Sequence, residues 1–595
     1  MSLTIPREMK GFQFDRLCYL ELNNFEIEML LPALFWLVRA NGRDRAGQNA
    51  PSLSSTIAPT IQSRAIDLAR HQRMKGFNTE DGHSLIDKWV RSSLVSISQT
   101  SRRRDGERIS YVRPLSFLTY KPKLGEGSRL RKTQYFLYHL CRDYVARDNS
   151  RIGYRRDDYE RSARAFDESI QSTFAEGLTP LRDEADKRDT YDGETPLDLE
   201  TLLQIFYLDG FVPPKEKKES TRKVSAPSCY RAASNFARDF TTFLEVYSGL
   251  VSPAVLTRYL LCLLNFEFLT YTLRLAKATN RLVSKDEIPA EFRITSESKN
   301  ETPLELYVDL TQLRGSRSDQ IANACVNRDI EDFESYFRSA LTLRMMERFL
   351  SRQQRALFEE KKSGPFILDL FALKDDVKMQ ARAAADIETL REQFLKDGEE
   401  IMPPEVKAIF DDTTMDDVSC LAELLVLGQR KNGVGALMKW FGDVGGKDRD
   451  DGILRGNVKG RRVWRYVMSD TLLETLVQLA AIDPEVRERS HNRITGPIAP
   501  GEISLPAFLD FLSSRFGLLI DTPPAFDQSV EATAAAKENY AALKQRLQQM
   551  GMFPDMSDDF NAQRITPRFC PETETAAEFD RAVVHASAAN ERASA

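Results

Sequence analysis

The sequence predicts a mostly α-helical, multidomain protein with a small β hairpin in its N-terminal part and a winged-helix-like module near its C-terminus. Three observations carry that expectation. Apolar residues recur at helical spacing through much of the chain, as in Phe333, Phe337, Leu341, Met345 and Phe349. At 595 residues the chain exceeds what one hydrophobic core ordinarily holds. β-prone segments with turn signals stand near 100–120 and again near 455–470.

Breaks in composition divide the chain. Residues 1–212 read as a helical domain carrying the basic hairpin, 213–227 (VPPKEKKESTRKVSAP with its flanks) as a linker or long loop, and 228–400 as a central helical domain. Residues 401–525 read as the winged-helix-like module, 526–560 as a helix and turn, and 561–595 as a tail expected to be disordered.

Taken in order, EIEMLLPALFWLVRANG predicts a helix with Pro32 in its first turn and a stop at Asn41-Gly42. Two helices are expected over 61–98, the second placing Leu85, Trp89 and Leu94 on one side. Asp105-Gly106 between β-prone flanks signals a hairpin. Residues 151–187, dense in both signs of charge, predict an exposed helix with short-range ion pairs. Residues 197–212 form an amphipathic helix closed by Gly210.

Val255 to Leu275 is long enough to span a membrane, but Arg258, Asn265, Glu267 and Arg274 are spread along it. A central charge in a span costs about 2.5–3.5 kcal/mol on insertion scales, so the stretch is expected to be a buried core helix. TPLELYVDLTQLRG and the segment to Glu360 continue as helices. After Met402-Pro403-Pro404 the sequence predicts one helix, a glycine-rich turn around 428–435, and a short helix. RRVWRYVM has strand propensity; Thr471 with Glu474 has capping-box spacing before a helix to Pro484. Ser504 reads as an N-cap with Pro506 behind it, and the helix ends at Gly517. LLID suggests a short strand, and Ser529–Met550 an amphipathic helix.

The composition excludes several function classes. Net charge is −5 and the pI about 5.9, so an argument for nucleic acid must rest on local clusters of Lys and Arg. Seven scattered cysteines, none at metal-ligand spacing, read as reduced thiols. With no signal-peptide pattern at the start, a cytoplasmic location is expected. The five histidines form no ligand pair, and no HExxH, CxxC or EF-hand loop occurs, so neither metal nor cofactor is expected. GDVGGKD at 442–448 fails as a phosphate loop on spacing and has Asp448 where a Ser or Thr is needed.

Two basic clusters stand against the acidic background. The first holds Arg102, Arg103, Arg104, Arg108, Arg129, Arg131 and Lys132; the second holds Arg455, Lys459, Arg461, Arg462 and Arg465. Guanidinium and ammonium donors are what phosphates require, so both are candidate nucleic-acid contacts. The helix starting at Thr471 offers only Ser469, Asp470, Thr475 and Gln478 as polar positions. Contact there would fall on phosphate and not on base edges.

LLPALFWLVRANGRDRAG near the start, with FLSSRFGLLIDTPPAF and MGMFPDMSDDFNAQRITPRF near the end, resembles components of bacterial methylation-associated anti-phage defence systems. The resemblance implies a cytoplasmic protein acting beside a methyltransferase, a kinase and other subunits, and it carries over no functional residue. The favoured reading is therefore a non-enzymatic DNA-contacting or scaffold subunit, with other defence subunits and double-stranded DNA as candidate partners and no membrane. The alternatives are a pure protein–protein adaptor and a nuclease or other enzyme with a dispersed acidic site.

Overall fold

The computed structural model describes residues 3–45, 61–98, 108–122, 130–148, 156–179, 190–209, 211, 216–221, 224–294, 301–396, 399–457, 460–490, 499–554 and 563–570. Among these, eighteen α-helices and seven two-stranded sheets are present, so the mostly helical expectation holds. The buried apolar side chains form one cluster that runs from Ile5 to Ile565.

The frame is a set of long helices packed side by side. At its centre lies Pro253–Lys285, flanked by Tyr230–Tyr247 and Arg317–Phe349; Asp417–Val444 packs on the last of these. The central helix contains the stretch tested above as a membrane span. It is buried on all sides through most of its length, and no helix of the described residues is long and apolar enough to cross a membrane. The two arginines of that stretch find protein partners. Arg258 donates to Thr471 Oγ1 at 2.6 Å, and Arg274 to the Arg515 carbonyl at 2.9 Å.

Several expectations hold in detail. Leu30–Arg39 is a helix that ends before Asn41 and Gly42, both at positive φ. Val95–Ser98 pairs antiparallel with Arg108–Val112, which is the N-terminal hairpin; its Asp105-Gly106 tip lies outside the described residues. Ser504 caps Leu505–Phe511, accepting from the Ala507 N–H at 3.3 Å, and Gly517 closes the following turn at φ +68°. Val530–Gln549 is the amphipathic helix, capped by Ser529. The expected disorder of the tail concerns residues that lie mostly outside the described set.

Other elements differ, each for a physical reason. The glycine-rich turn expected at 428–435 is the middle of one unbroken 28-residue helix, Asp417–Val444. Its glycines serve close packing: a Cβ at Gly433 would run into the Phe337 ring, and one at Gly428 would sit 2.6 Å from Ile5. TPLELYVDL is extended, because Leu306, Val308 and Asp309 give their N–H groups to the carbonyls of Gly517, Leu519 and Tyr466. Leu306–Tyr307 thus pairs in parallel with Leu518–Leu519, the short strand expected at LLID.

In the segment RRVWRYVM, Arg461–Val463 is a single 3-10 turn and only Arg465–Tyr466 is a strand, paired with Leu454–Arg455. The capping box expected at Thr471 and Glu474 is not made. Ser469 caps the Asp470–Ile482 helix, accepting from the Leu472 N–H at 3.2 Å, while Glu474 accepts from the Tyr259 hydroxyl at 2.6 Å. Thr475 and Gln478, expected on an accessible face, are fully buried. A winged-helix arrangement is not shown by these elements. Of the three residues expected on one side, Leu94 is buried and Trp89 half-buried, but Leu85 is exposed, and Ile86 and Val90 turn inward in its place. The Arg156–Phe174 helix buries Phe166 and Ile170, and its charges pair across to the Thr133–Asp148 helix, with Arg142 between Glu160 and Asp167. Within the expected linker, Glu216–Thr221 is a strand paired with Arg43–Arg45.

Candidate functional site

The residues expected to contact phosphate separate into three groups. Arg102, Arg103, Arg104, Arg129 and Lys459 lie outside the described residues, and only the backbone of Arg108 is described, in the hairpin. A second group is neutralised internally. Lys132 Nζ stands 3.0 Å from Asp15 and 3.6 Å from Glu21, while Arg131 Nε donates to the Asn24 carbonyl at 3.0 Å with its Nη1 3.8 Å from Glu21. Both sit at positive φ, so the backbone turns their side chains toward the 15–24 segment. Arg465 is buried, with Nε 2.6 Å from Asp319. A carboxylate at such distances already takes the charge that a phosphate would need.

The third group is available. Arg461 and Arg462 are exposed and make no ion pair among the described residues, and Arg455 is half-buried in the short strand beside them. Asn323 holds their turn against the Arg317–Phe349 helix, donating to the carbonyls of Arg462 at 2.7 Å and Trp464 at 2.6 Å. Burial lowers the pKa of Arg465, Asp319 opposes this, and the nearby exposed Arg314 adds to the lowering. Arg461 and Arg462 thus make a positive turn, and Val463 in the same turn is 50% exposed. Leu313, 65% exposed, and Phe526, 50% exposed, are further surface apolar groups. Phe526 lies under the Arg328 guanidinium of the same helix, 5.5 Å from ring centroid to Cζ.

A second constellation, which the sequence did not reveal, is interior. The Tyr230–Tyr247 helix brings Arg231, Asn235 and Asp239; the central helix brings Glu267 and Arg274; the extended 301–310 segment brings Glu301; the turn before Gly517 brings Arg515. That turn, Leu512–Phe516, is π-helical, an irregularity common where a helix serves a site. Gly517 lets the Leu304 carbonyl lie where a Cβ would stand. Together these segments line a partly open pocket of about 260 Å³.

Arg515 grips Asp239 with both ends of its fork, Nε to Oδ2 at 3.0 Å and Nη2 to Oδ1 at 2.5 Å. Burial alone lowers the Arg515 pKa, and the Asp239 contact reverses that, leaving it raised. Glu267 lies against the same carboxylate. Burial, then Asp239, push its carboxyl well above the usual carboxylate range. Glu301 is also raised by burial, with Arg231 and Arg274 pulling it back. The only sequence signal was Glu267 and Arg274 inside an apolar helix; their partners come from distant segments.

Fold and site together define a class: a many-helix protein whose described polar constellations are a positive surface turn and a charged, partly open pocket. Among the described residues no group of three or more His, Cys, Asp or Glu is placed to hold a metal ion. The chain belongs to the family of methylation-associated defense system protein MAD7, whose family model matches residues 7–569. Membership bears out the resemblance of the two chain ends and implies other subunits of the same system. Comparison with curated proteins and with solved structures gives no match.

Proposed function

We propose that the protein is a non-enzymatic scaffold subunit of its defence system, docking another subunit through the exposed turn of Arg461, Arg462 and Val463. The observation that carries this reading is the mixture in that turn. Two arginines with no ion partner among the described residues stand beside half-exposed Val463 on a turn pinned to a long, packed helix. Arginine beside an apolar group on a rigid support is characteristic of protein interfaces, whereas a phosphate-gripping surface needs mainly cations.

The test is co-purification of the full chain with the other subunits of its system. Val463→Asp abolishes co-purification while leaving the far-ultraviolet circular dichroism spectrum unchanged; retained co-purification overturns the reading.

A second reading, contact with double-stranded DNA, is supported by the exposure of Arg461 and Arg462 without ion partners among the described residues. It predicts binding that falls steeply with salt, with a shallower slope in Arg461→Glu, Arg462→Glu protein. Arg465 is left untouched in that variant because its loss would unpair Asp319. Salt-independent or undiminished affinity excludes this contact.

A further inference from the structure

A second pocket, of about 590 Å³, lies where the N-terminal segment meets the short helices Arg352–Phe358 and Ser363–Phe371, and neither reading above uses it. Arg16 ties these parts together. Its guanidinium lies 3.7 Å over the Phe366 ring and donates to the carbonyls of Phe358, at 3.0 Å, and Lys361. It thus stands between the end of one helix and the start of the next. Its remaining N–H donors make no hydrogen bond among the described residues.

The lining is divided by chemistry. Arg16, Arg352, Arg355 and Lys361 line it against Glu347 and Glu359. Arg355 Nη1 stands 3.7 Å from Glu347, and Lys361 pairs with Asp369. Arg352 is exposed and makes no ion pair among the described residues. Even with Asp369 counted, four positive groups face three negative ones, and the neighbouring Glu360 and Lys362 cancel. The Ser363–Phe371 helix adds to this excess, because no side chain caps its first N–H groups. Ser363 lines the pocket and is only 2% exposed, yet its hydroxyl makes no hydrogen bond among the described residues. Buried hydroxyls are ordinarily paired, and an anion would serve hydroxyl, helix start and guanidinium at once. The rest of the lining is apolar. It includes Val224, Leu350 and the rings of Phe358 and Phe366, which meet edge to face at 5.5 Å.

An occupant that matches both parts carries an anion at one end and a flat apolar group at the other. Two guanidinium groups, a hydroxyl and a helix start offer more donors than the two oxygens of a carboxylate use, and a phosphate's three terminal oxygens suit them better. Ser225 and Glu359, also in the lining, are acceptors for the hydroxyls of a sugar. The volume falls within the ~300–1,000 Å³ usual for small-molecule sites. We propose that this pocket binds a nucleoside monophosphate, its phosphate received by Arg16, Arg352 and the start of the Ser363–Phe371 helix, its base set against Phe358 and Leu350.

Isothermal titration of the full chain tests this, with the monophosphates of adenosine, guanosine, cytidine and uridine as separate probes. Inorganic phosphate, the four free nucleosides and phenyl phosphate are controls that each lack one part. At least one nucleotide binds saturably, and every control binds about tenfold or more weakly. Arg352→Gln weakens nucleotide binding about tenfold, the loss of roughly one charge-assisted hydrogen bond. Ala356→Trp, which fills the pocket from its rim, abolishes it. Both positions are exposed, so the far-ultraviolet circular dichroism spectrum of each variant stays that of the parent. Three results overturn the proposal: no nucleotide binding saturably, any control binding as tightly as the best nucleotide, or either variant binding as tightly as the parent. The first would mark the pocket as a water-filled cleft, and phosphate alone binding as tightly would mark it as an anion hole.

Discussion

Gly517 shows how much rests on one residue. It takes φ +68°, where an L side chain is strained, and a Cβ there would collide with the Leu304 carbonyl. Both costs fall on the junction that pairs Leu518–Leu519 with Leu306–Tyr307 and forms one wall of the pocket lined by Arg274 and Arg515. Gly517→Ala is therefore expected to lose at least about 2 kcal/mol of stability in a denaturant titration. Ser469 is the second single-residue case. As the N-cap of Asp470–Ile482 it satisfies the Leu472 N–H, and Ser469→Ala should cost about 1 kcal/mol. Glu474→Gln should leave that cap intact, since Glu474 reaches Tyr259 and Arg568 and not the helix start. The cap at 504 was legible in the sequence, where a Ser precedes an apolar run. The one at 469 was displaced by two residues because Thr471 offered the same chemistry, and only the Arg258 contact to its hydroxyl shows it to be engaged elsewhere.

At the scale of elements, glycine was the least legible signal. The glycines within Asp417–Val444 look like turn punctuation, yet the helix runs through them because its neighbour approaches too closely for a side chain. Gly433→Ala should destabilise by roughly 1–3 kcal/mol through overpacking against Phe337. Trimming that ring in a Gly433→Ala, Phe337→Leu double variant should cost less than the sum of the single changes, a coupling that a double-mutant cycle in denaturant measures. Helix-prone periodicity also misled at TPLELYVDL. There the decisive partner is the 517–519 backbone, some two hundred residues away in sequence by order of magnitude, and local propensity yields to such tertiary pairing.

At the scale of the whole molecule, the N-terminal segment ties distant parts together. Phe25 packs edge-on against Phe268 at 5.7 Å and lies 5.3 Å from Trp440, so one ring from the start of the chain contacts both the central helix and Asp417–Val444. Arg449 extends the same link to Glu28 at 2.7 Å. Phe25→Ala should cost about 3–5 kcal/mol, and because the core is one cluster, the loss should appear as a lower midpoint of the main calorimetric transition. A small early transition with the main one unmoved would instead mean that the N-terminal segment unfolds alone.

The sequence by itself determined the helical class, the buried nature of the 253–285 helix, the N-terminal hairpin, the end of the 505–516 helical run at Gly517 and the family resemblance, because each is written in local periodicity, turn chemistry or contiguous motif. Tertiary structure decided which charges are free. Arg131, Lys132 and Arg465 look identical to Arg461 and Arg462 in one dimension, but the first three meet Asp15, Glu21, Asn24 and Asp319 while the last two are exposed with no ion partner among the described residues. The pocket lined by Arg274 and Arg515 belongs to the same category. Its arginines and carboxylates come from segments that only the packed helices bring within reach, and Coulombic pairing acts over ångströms of space, whatever the distance along the chain.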